Sequence, residues 1–214
     1  MNKEIIIAQI PTLEYIADFR DVAKFYEFCK QCKLHKKTWS CPPFISDTGG
    51  FVDYKGQKLE DFSLTTIVGV KLNIDNETRY KATNVQERDE LIRNIFIDAR
   101  KEMDAILMQY EQQISPSMLY YAGPCSVCTP NDCARANNQA CKFPEKLRST
   151  LEADGFDIGR TTTEILGLEL LWCNDLILPE YYTLVYGFMS DAPAVKELSD
   201  LLCGVDGVCL VCMG

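Results

Sequence analysis

The sequence predicts an α+β or α/β fold, a mixed β-sheet with helices packed against it, and three stretches carry that expectation. Phe62, Leu64, Thr66, Val68, Val70, Leu72 and Ile74 occupy every second position, the period of a strand with one face in a core. Ile92, Ile95, Phe96, Ala99, Met103, Ile106, Tyr110 and Ile114 recur at helical spacing almost to Pro116, the mark of one long amphipathic helix. Tyr182, Leu184, Tyr186 and Phe188 alternate again as a late strand.

The remaining elements follow in chain order. Glu4 to Ile10 reads as a short apolar strand closed by Pro11. Asp21 can cap a short helix whose Val22, Phe25, Tyr26 and Cys29 fall at i, i+3, i+4 and i+7, so Cys29 is expected on its buried face and Cys32 at or just past its end. Asn84 with Glu87 three residues on resembles a capping box and starts the long helix. Met118 to Ala122 is a short apolar strand that ends in Gly123-Pro124. Strand, long helix and strand in that order permit a right-handed parallel crossover. Pro144 is expected to start a helix through Leu147 and Leu151 that Gly155 ends, and Thr161 with Glu164 suggests one more turn. Ala192 to Leu202 reads as a final helix. No repeat, low-complexity stretch or long linker interrupts residues 1–214, so one domain is expected, with its cysteine-rich loops together at one end of the sheet.

Composition narrows the function classes. A content of 47% hydrophobic residues is ample for a core without disulfide staples. The balance of 22 basic against 31 acidic residues, a net charge of −9, repels a phosphate backbone and argues against nucleic acid as the main partner. No apolar run reaches the length of a bilayer span, and the opening residues lack the apolar stretch and small-residue cleavage site of a secretory signal. A cytoplasmic protein is therefore expected. In a reducing compartment, eleven cysteines are better explained as ligands or reactive groups than as bridges.

The cysteines fall into sets. Cys125, Cys128, Cys133 and Cys141 lie within seventeen residues and begin with C-x2-C, so one short loop can complete a four-thiolate site. Three readings compete for it. A [4Fe-4S] cluster suits four thiolates, a proline soon after the last cysteine and a loop without histidine. Structural zinc also accepts four thiolates, but more often pairs two C-x2-C knuckles, and this loop has one. Unmetallated buried thiols fit worst, because Ser126, Thr129, Asn131, Asp132, Asn137, Asn138 and Gln139 make the loop polar. Upstream, Cys29, Cys32 and Cys41 are spaced C-x2-C-x8-C, and Pro42-Pro43 can hold Cys41 rigidly. They supply three ligands. A fourth has to come from Cys173, from the tail cysteines or from another group, unless the position stays open to a small molecule. The plain alternative is that Cys29 fills the core and Cys32 is a bystander.

Cys203, Cys209 and Cys212 sit among Val208, Leu210 and Val211, an apolar run fit for a buried strand, although their C-x2-C could reach over a site and complete it. Cys173, beside Trp172, reads as core. His35 is the only histidine, so a Cys2His2 zinc site is hard to build. It lies in a basic stretch with Lys30, Lys33, Lys36 and Lys37 that reads first as a solvated loop and second as a field that lowers thiol pKa values or docks an acidic redox partner. Gly-rich phosphate fingerprints are lacking, which argues against a nucleotide fold.

With those residues in view, the chain resembles a family of predicted metal-binding proteins, domain of unknown function 2284. The family pattern of C-x2-C, an aromatic and basic stretch and W-S-C-P-P is matched by Cys29, Cys32, Trp39, Ser40, Cys41, Pro42 and Pro43. Its later Gly-x-Cys-x2-Cys loop, closing C-x-x-P and following arginine-to-threonine element are matched by Gly123, Cys125, Cys128, Cys133, Cys141, Pro144, the run from Arg148 to Ile158, and Thr161. Lys142 stands where the family has arginine, the proline after the family's Arg is missing, and the three tail cysteines lie outside the pattern. The resemblance implies metal binding and no particular reaction. The expectation is an iron-sulfur protein of the electron-transfer or redox-accessory class, holding one or two [4Fe-4S] clusters and working with a redox partner protein or small molecule, with no nucleic acid or membrane partner. Its rival is a zinc-stabilised interaction module without redox activity, and whether the protein is an enzyme is left open.

Overall fold

The computed structural model describes residues 2–44, 54–129 and 131–202, and the backbone of 208–212. In chain order the elements are β1 (Asn2–Pro11), α1 (Thr12–Phe19), α2 (Val22–Lys30), β2 (Leu64–Asn73), α3 (Asn76–Arg79), α4 (Val85–Glu111), β3 (Ser117–Tyr120), α5 (Ile158–Arg160), β4 (Tyr181–Ser190), α6 (Val195–Leu202) and β5 (Val208–Cys212). The strands form one sheet in the order β3-β4-β2-β1-β5. All neighbours are antiparallel except β1 and β5, so the sheet is mixed and the fold is α+β.

Both faces of this sheet are covered. Ile5, Ile7, Val68, Val70, Leu72, Leu184, Tyr186 and Phe188 form one face, against Ile95, Ala99, Met103, Leu107 and Tyr110 of α4 and Leu198 and Leu202 of α6. Ile6, Ala8, Ile67, Val185 and Met189 form the other, against Tyr15 and Phe19 of α1 and Leu151, Phe156, Ile158 and Leu166. The alternation from Val68 to Ile74 therefore marks one of two buried faces, while Phe62, ahead of β2, packs in the other. Two strand glycines, Gly69 and Gly187, lie under the second layer, where a Cβ would come within 2.7 Å of Leu166 and 2.8 Å of Leu151.

The long helix α4 spans 27 residues, about 40 Å at the α-helical rise. Its start is capped as the sequence suggests, Glu87 N–H donating to Asn84 Oδ1 at 2.9 Å. The return bond goes one residue further out, where the Glu87 carboxylate accepts from the N–H and hydroxyl of Thr83. β2 and β3 run parallel with β4 inserted between them, so the crossover through α4 skips one strand.

Two expectations are corrected. No α-helix runs from Pro144 to Leu151: short 3-10 turns occupy Pro144–Lys146 and Glu152–Asp154, and Leu147 is extended at φ −65°, ψ 126°. The Arg148 guanidinium is drawn to Glu111 at the end of α4, which pulls this stretch straight. α2 forms behind its Asp21 cap, which accepts from Lys24 N–H at 2.9 Å, but none of its residues is fully buried and Cys29 is half-buried. It lies on the outer layer and faces a cavity, not the core.

Candidate metal centre

A buried ion-pair network builds the platform on which the thiols sit. The Glu111 carboxylate accepts from Leu119 N–H at 2.9 Å, from Lys55 Nζ at 2.8 Å and from Arg148 Nε at 2.6 Å, with a second bond from Arg148 Nη2. Arg148 also donates to the carbonyls of Glu145 and Leu147. The strip that follows is stitched on both sides: Tyr121 N–H donates to Ser149 C=O at 2.7 Å, and Ser149 Oγ donates to Ser40 C=O at 2.8 Å. Leu147 at one end of this strip lines one thiol cavity and Thr150 at the other lines the second.

Cys29, Cys32 and Cys41 line a cavity of about 220 Å³ together with His35, Ser40, Pro42, Thr150 and Glu152. Cys29 comes from the last turn of α2, and Cys32 follows on a turn in which its N–H bonds to Cys29 C=O at 3.0 Å. Leu34 N–H points at Cys32 Sγ at 3.5 Å. Cys41 is placed by its own N–H on Thr38 C=O at 3.2 Å, and the Thr38 hydroxyl donates to its sulfur at 3.1 Å. Burial pushes the Cys29 thiol up to about 11, with the neighbouring Cys41 and Cys32 adding to it. Burial raises Cys41 too, against the lowering hydrogen bond from Thr38. Without a cation these groups keep their protons, so any metal has to displace them.

The second set, Cys125, Cys128, Cys133 and Cys141, lines a smaller cavity of about 20 Å³ with Thr38, Trp39, Val127, Phe143 and Leu147. Cys133 is buried and the other three are half-buried. The loop is folded on itself by Cys133 N–H to Thr129 C=O at 3.1 Å and Gln139 N–H to Ala134 C=O at 3.0 Å. Asn138 takes the left-handed conformation between them, a role asparagine tolerates better than most residues. The Cys125 thiol is also raised by burial, with Cys141 and Cys128 adding to that and backbone hydrogen bonds opposing it.

The two sets are joined by the Thr38-to-Pro43 segment. Cys125 N–H donates to Ser40 Oγ at 3.0 Å, and Trp39 Nε1 donates to Gln139 C=O at 2.9 Å. Arg135 reaches back from the four-cysteine loop and donates to the carbonyls of Thr38 (2.8 Å), Cys41 and Pro43 (3.3 Å), with its guanidinium 5.0 Å from the Trp39 ring centre. It is buried and has no carboxylate partner among the described residues. Burial pulls its pKa down, three carbonyls accept its protons, and the nearby Cys41 and Cys133 oppose the fall once they are ionised. A buried cation between two groups of thiols is compensated when those thiols ionise.

Among the described residues, no three His, Cys, Asp or Glu side chains meet closely enough to hold a metal ion as they stand. What the thiols share is a cavity each. Three side chains went unread in the sequence as parts of the site. His35 lines the three-cysteine cavity, and its Nδ1 is buried with no hydrogen-bond partner among the described residues. Burial and the cations Lys36, Arg135 and Lys30 hold its pKa low, which leaves a neutral imidazole with a free lone pair. Glu152 lines the same cavity and offers a carboxylate there, and the third of these side chains, Arg135, lies against the Thr38-to-Pro43 segment. The place of His35 between Cys32 and Cys41 was one available signal, and Glu152 falls in the Arg148-to-Ile158 run that matches the family element; nothing in the sequence marked Arg135.

Cys173 stands away from both sets, packed on the larger core with its sulfur 2.9 Å from Tyr182 Oη. Cys203 lies outside the described residues. Cys209 and Cys212 sit on β5 opposite Glu4 and Ile7, at the sheet edge furthest from β3. Four strand spacings, on the order of 19 Å, separate that edge from the strand that feeds the four-cysteine loop. Cys209 and Cys212 thus lie on a strand, the plain reading of their apolar run.

The residues present fit a thiolate-bound metal: two sets of cysteines on two adjoining cavities, an imidazole in one whose Nδ1 has no hydrogen-bond partner among the described residues, and a buried cation between them. No described helix is long and apolar enough to cross a membrane. Comparison with curated proteins and with solved structures finds no match. The family profile described as "Predicted metal-binding protein (DUF2284)" matches residues 16–185, a stretch that holds both cysteine sets, the Arg148 strip and three of the five strands in whole or part, and the chain belongs to that family of predicted metal-binding proteins.

Proposed function

We propose that the protein is a cytoplasmic iron-sulfur protein of the electron-transfer or redox-accessory class. Cys125, Cys128, Cys133 and Cys141 would hold a [4Fe-4S] cluster, and Cys29, Cys32 and Cys41 would hold a second, more open centre with His35 or Glu152 within the same cavity. A cluster so held supplies one-electron chemistry at a potential set by its hydrogen bonds and burial. The observation that carries this reading is the gathering of four cysteines on one cavity and three on the one beside it, enough thiols for a four-thiolate cluster and a second, more open centre. Cys41 and Cys133 flanking Arg135 add to it, since the bound thiolates would neutralise that buried charge.

One observation favours zinc instead. The enclosed space of the four-cysteine cavity, about 20 Å³, is the room of a single water or ion, so a cubane would have to displace the exposed Val127 and Phe143 side chains at its rim. In that reading the protein is a zinc-stabilised interaction module. In the redox reading the partner is a redox protein or small molecule, for which the exposed Lys33, Lys36 and Lys37 beside Cys32 offer a positive docking patch, and neither nucleic acid nor membrane has a role.

Iron, acid-labile sulfide and zinc in anaerobically purified protein decide between the two. Iron with sulfide is expected, and zinc without either would reject the cluster reading. Reduced-state EPR of Cys125→Ser and Cys41→Ser then counts the centres. Independent loss of two signals is expected; one signal lost in both variants would mean a single centre built from both motifs.

A further inference from the structure

One further cavity, lined by described residues, belongs to neither thiol set. It is a cleft of about 800 Å³, within the size range of small-molecule sites, at the edge of the sheet. β3 pairs only with Gly187 to Ser190 of β4, so no strand among the described residues covers the outer edge of β4 at Thr183, Leu184 and Val185, and these residues form the cleft's back wall. One side is a single face of α4, on which Arg93, Phe96, Ile97, Arg100, Lys101 and Asp104 recur at helical spacing. The other side is the turn through Gly123 and Pro124, tied to α4 by Arg100 Nη1 on Pro124 C=O at 3.0 Å.

Its charges are unevenly used. Arg100 and Asp104 neutralise each other at 2.9 Å, and Asp104 also accepts from Tyr186 Oη at 3.0 Å. Arg93 and Lys101 are exposed at the mouth and have no ion pair or hydrogen bond among the described residues. Two uncommitted cations at one cleft of a chain with net charge −9 form a local field of the opposite sign. The remaining acid, Glu152, lies on the side that the cleft shares with the three-cysteine cavity. Behind the cations the wall is apolar, with Phe96, Ile97, Ile158, Leu184 and Val185, and Ile97 is 55% exposed although aliphatic. Two buried polar atoms in the lining, Thr183 Oγ1 and Arg100 Nε, lack partners among the described residues.

We infer that this cleft binds a small organic carboxylate with an apolar body: its carboxylate lies at the mouth between Arg93 and Lys101, its hydrocarbon lies on Phe96 and Ile97, and its far end points toward the three-cysteine cavity. Gly123, Pro124 and Glu152 line both spaces, so a ligand of sufficient length would reach the thiols from this side. The inference concerns the cleft alone, and stands or falls independently of which metal the thiols hold.

Titration calorimetry of the full chain with 3-phenylpropionate, 3-phenylpropanol and 3-phenylpropylamine tests it. The carboxylate is expected to bind, the alcohol at least about tenfold more weakly, and the amine not at all, because a charge-assisted contact is worth that factor. Raised salt should weaken the carboxylate alone. Arg93→Gln with Lys101→Gln should reduce its affinity by about tenfold or more while leaving the melting temperature unchanged, since both side chains are exposed and unpaired. Ile97→Ser should weaken acid and alcohol alike. Equal binding of acid and alcohol, full affinity in the double variant, or no binding of the acid would each overturn the inference.

Discussion

The two thiol cavities differ in enclosure. The four-cysteine cavity comes from one loop, is roofed by Trp39 from the other segment, and encloses about 20 Å³. The three-cysteine cavity is assembled from a helix end, a turn and the Cys41 bend, encloses about 220 Å³, and shares three residues with the 800 Å³ cleft. A closed site with a full set of thiolates fixes structure or passes electrons; a site with three thiolates, a neutral imidazole and an open side can exchange a ligand. Under the proposed function the first would hold structure or pass electrons, and the second would be the one to exchange a ligand.

The largest predicted effect breaks both cavities at once. Arg148→Met removes a buried cation from Glu111 and frees the strip whose Leu147 and Thr150 wall the two sites. Losing one partner of a buried pair costs about 3–5 kcal/mol, and the lower end applies here because Lys55 and Leu119 N–H still serve the carboxylate. Urea unfolding of the metal-free protein should show a loss of about 3 kcal/mol. A loss under about 1 kcal/mol would mean that the strip is held by its other bonds and that Arg148 is not the anchor.

A smaller and more selective effect is expected at Gly155. Its φ of +93° suits glycine, and a Cβ there would lie 2.7 Å from Val22 Cα at the start of α2. Gly155 C=O also accepts from Asp21 N–H at 2.8 Å, so this turn seats the helix that delivers Cys29. Gly155→Ala should cost about 1–3 kcal/mol through strain and a displaced α2. Metal analysis should show loss at the three-cysteine centre with the four-cysteine centre retained. Equal loss at both would mean that the two are one cooperative unit.

Much of the frame was legible because it rests on period and caps. The Phe62-to-Ile74 alternation, the α4 stripe and the Asn84 and Asp21 caps correspond to β2, α4 and their neighbours. α1 was not, because its buried face is Thr12, Tyr15 and Phe19 while Leu13 is 63% exposed, so hydrophobicity along the segment does not report its burial. The false helix after Pro144 has a plainer cause. Leu147 and Leu151 have helical spacing, but a buried ion pair 37 residues away in sequence decides the backbone between them. The same kind of contact hid part of the site. Cysteine spacing singled out the seven thiols, whereas Arg135 reaches its carbonyls across 92 to 97 residues and Glu152 meets the cleft only through the fold.

The smallest effect separates the thiols' own chemistry from what a metal adds. Burial, with Cys41 and Cys32 nearby, lifts Cys29 to about 11, above the ordinary thiol value of roughly 8.5 in an unfolded chain. The folded state therefore holds this proton more tightly. Its contribution to stability is complete below the unfolded value and is lost as pH rises from there toward 11, because the unfolded chain gives up its proton first. Denaturant midpoints of the metal-free protein at pH 8, 9 and 10 should fall, and Cys29→Ala should flatten that fall. Metal uptake should respond in the opposite sense, strengthening with pH because each bound thiolate must first lose a proton. If midpoints of the metal-free protein fell equally with and without Cys29, the thiol would not be buried as it stands here, and the open cavity would lose the feature that makes it await a cation.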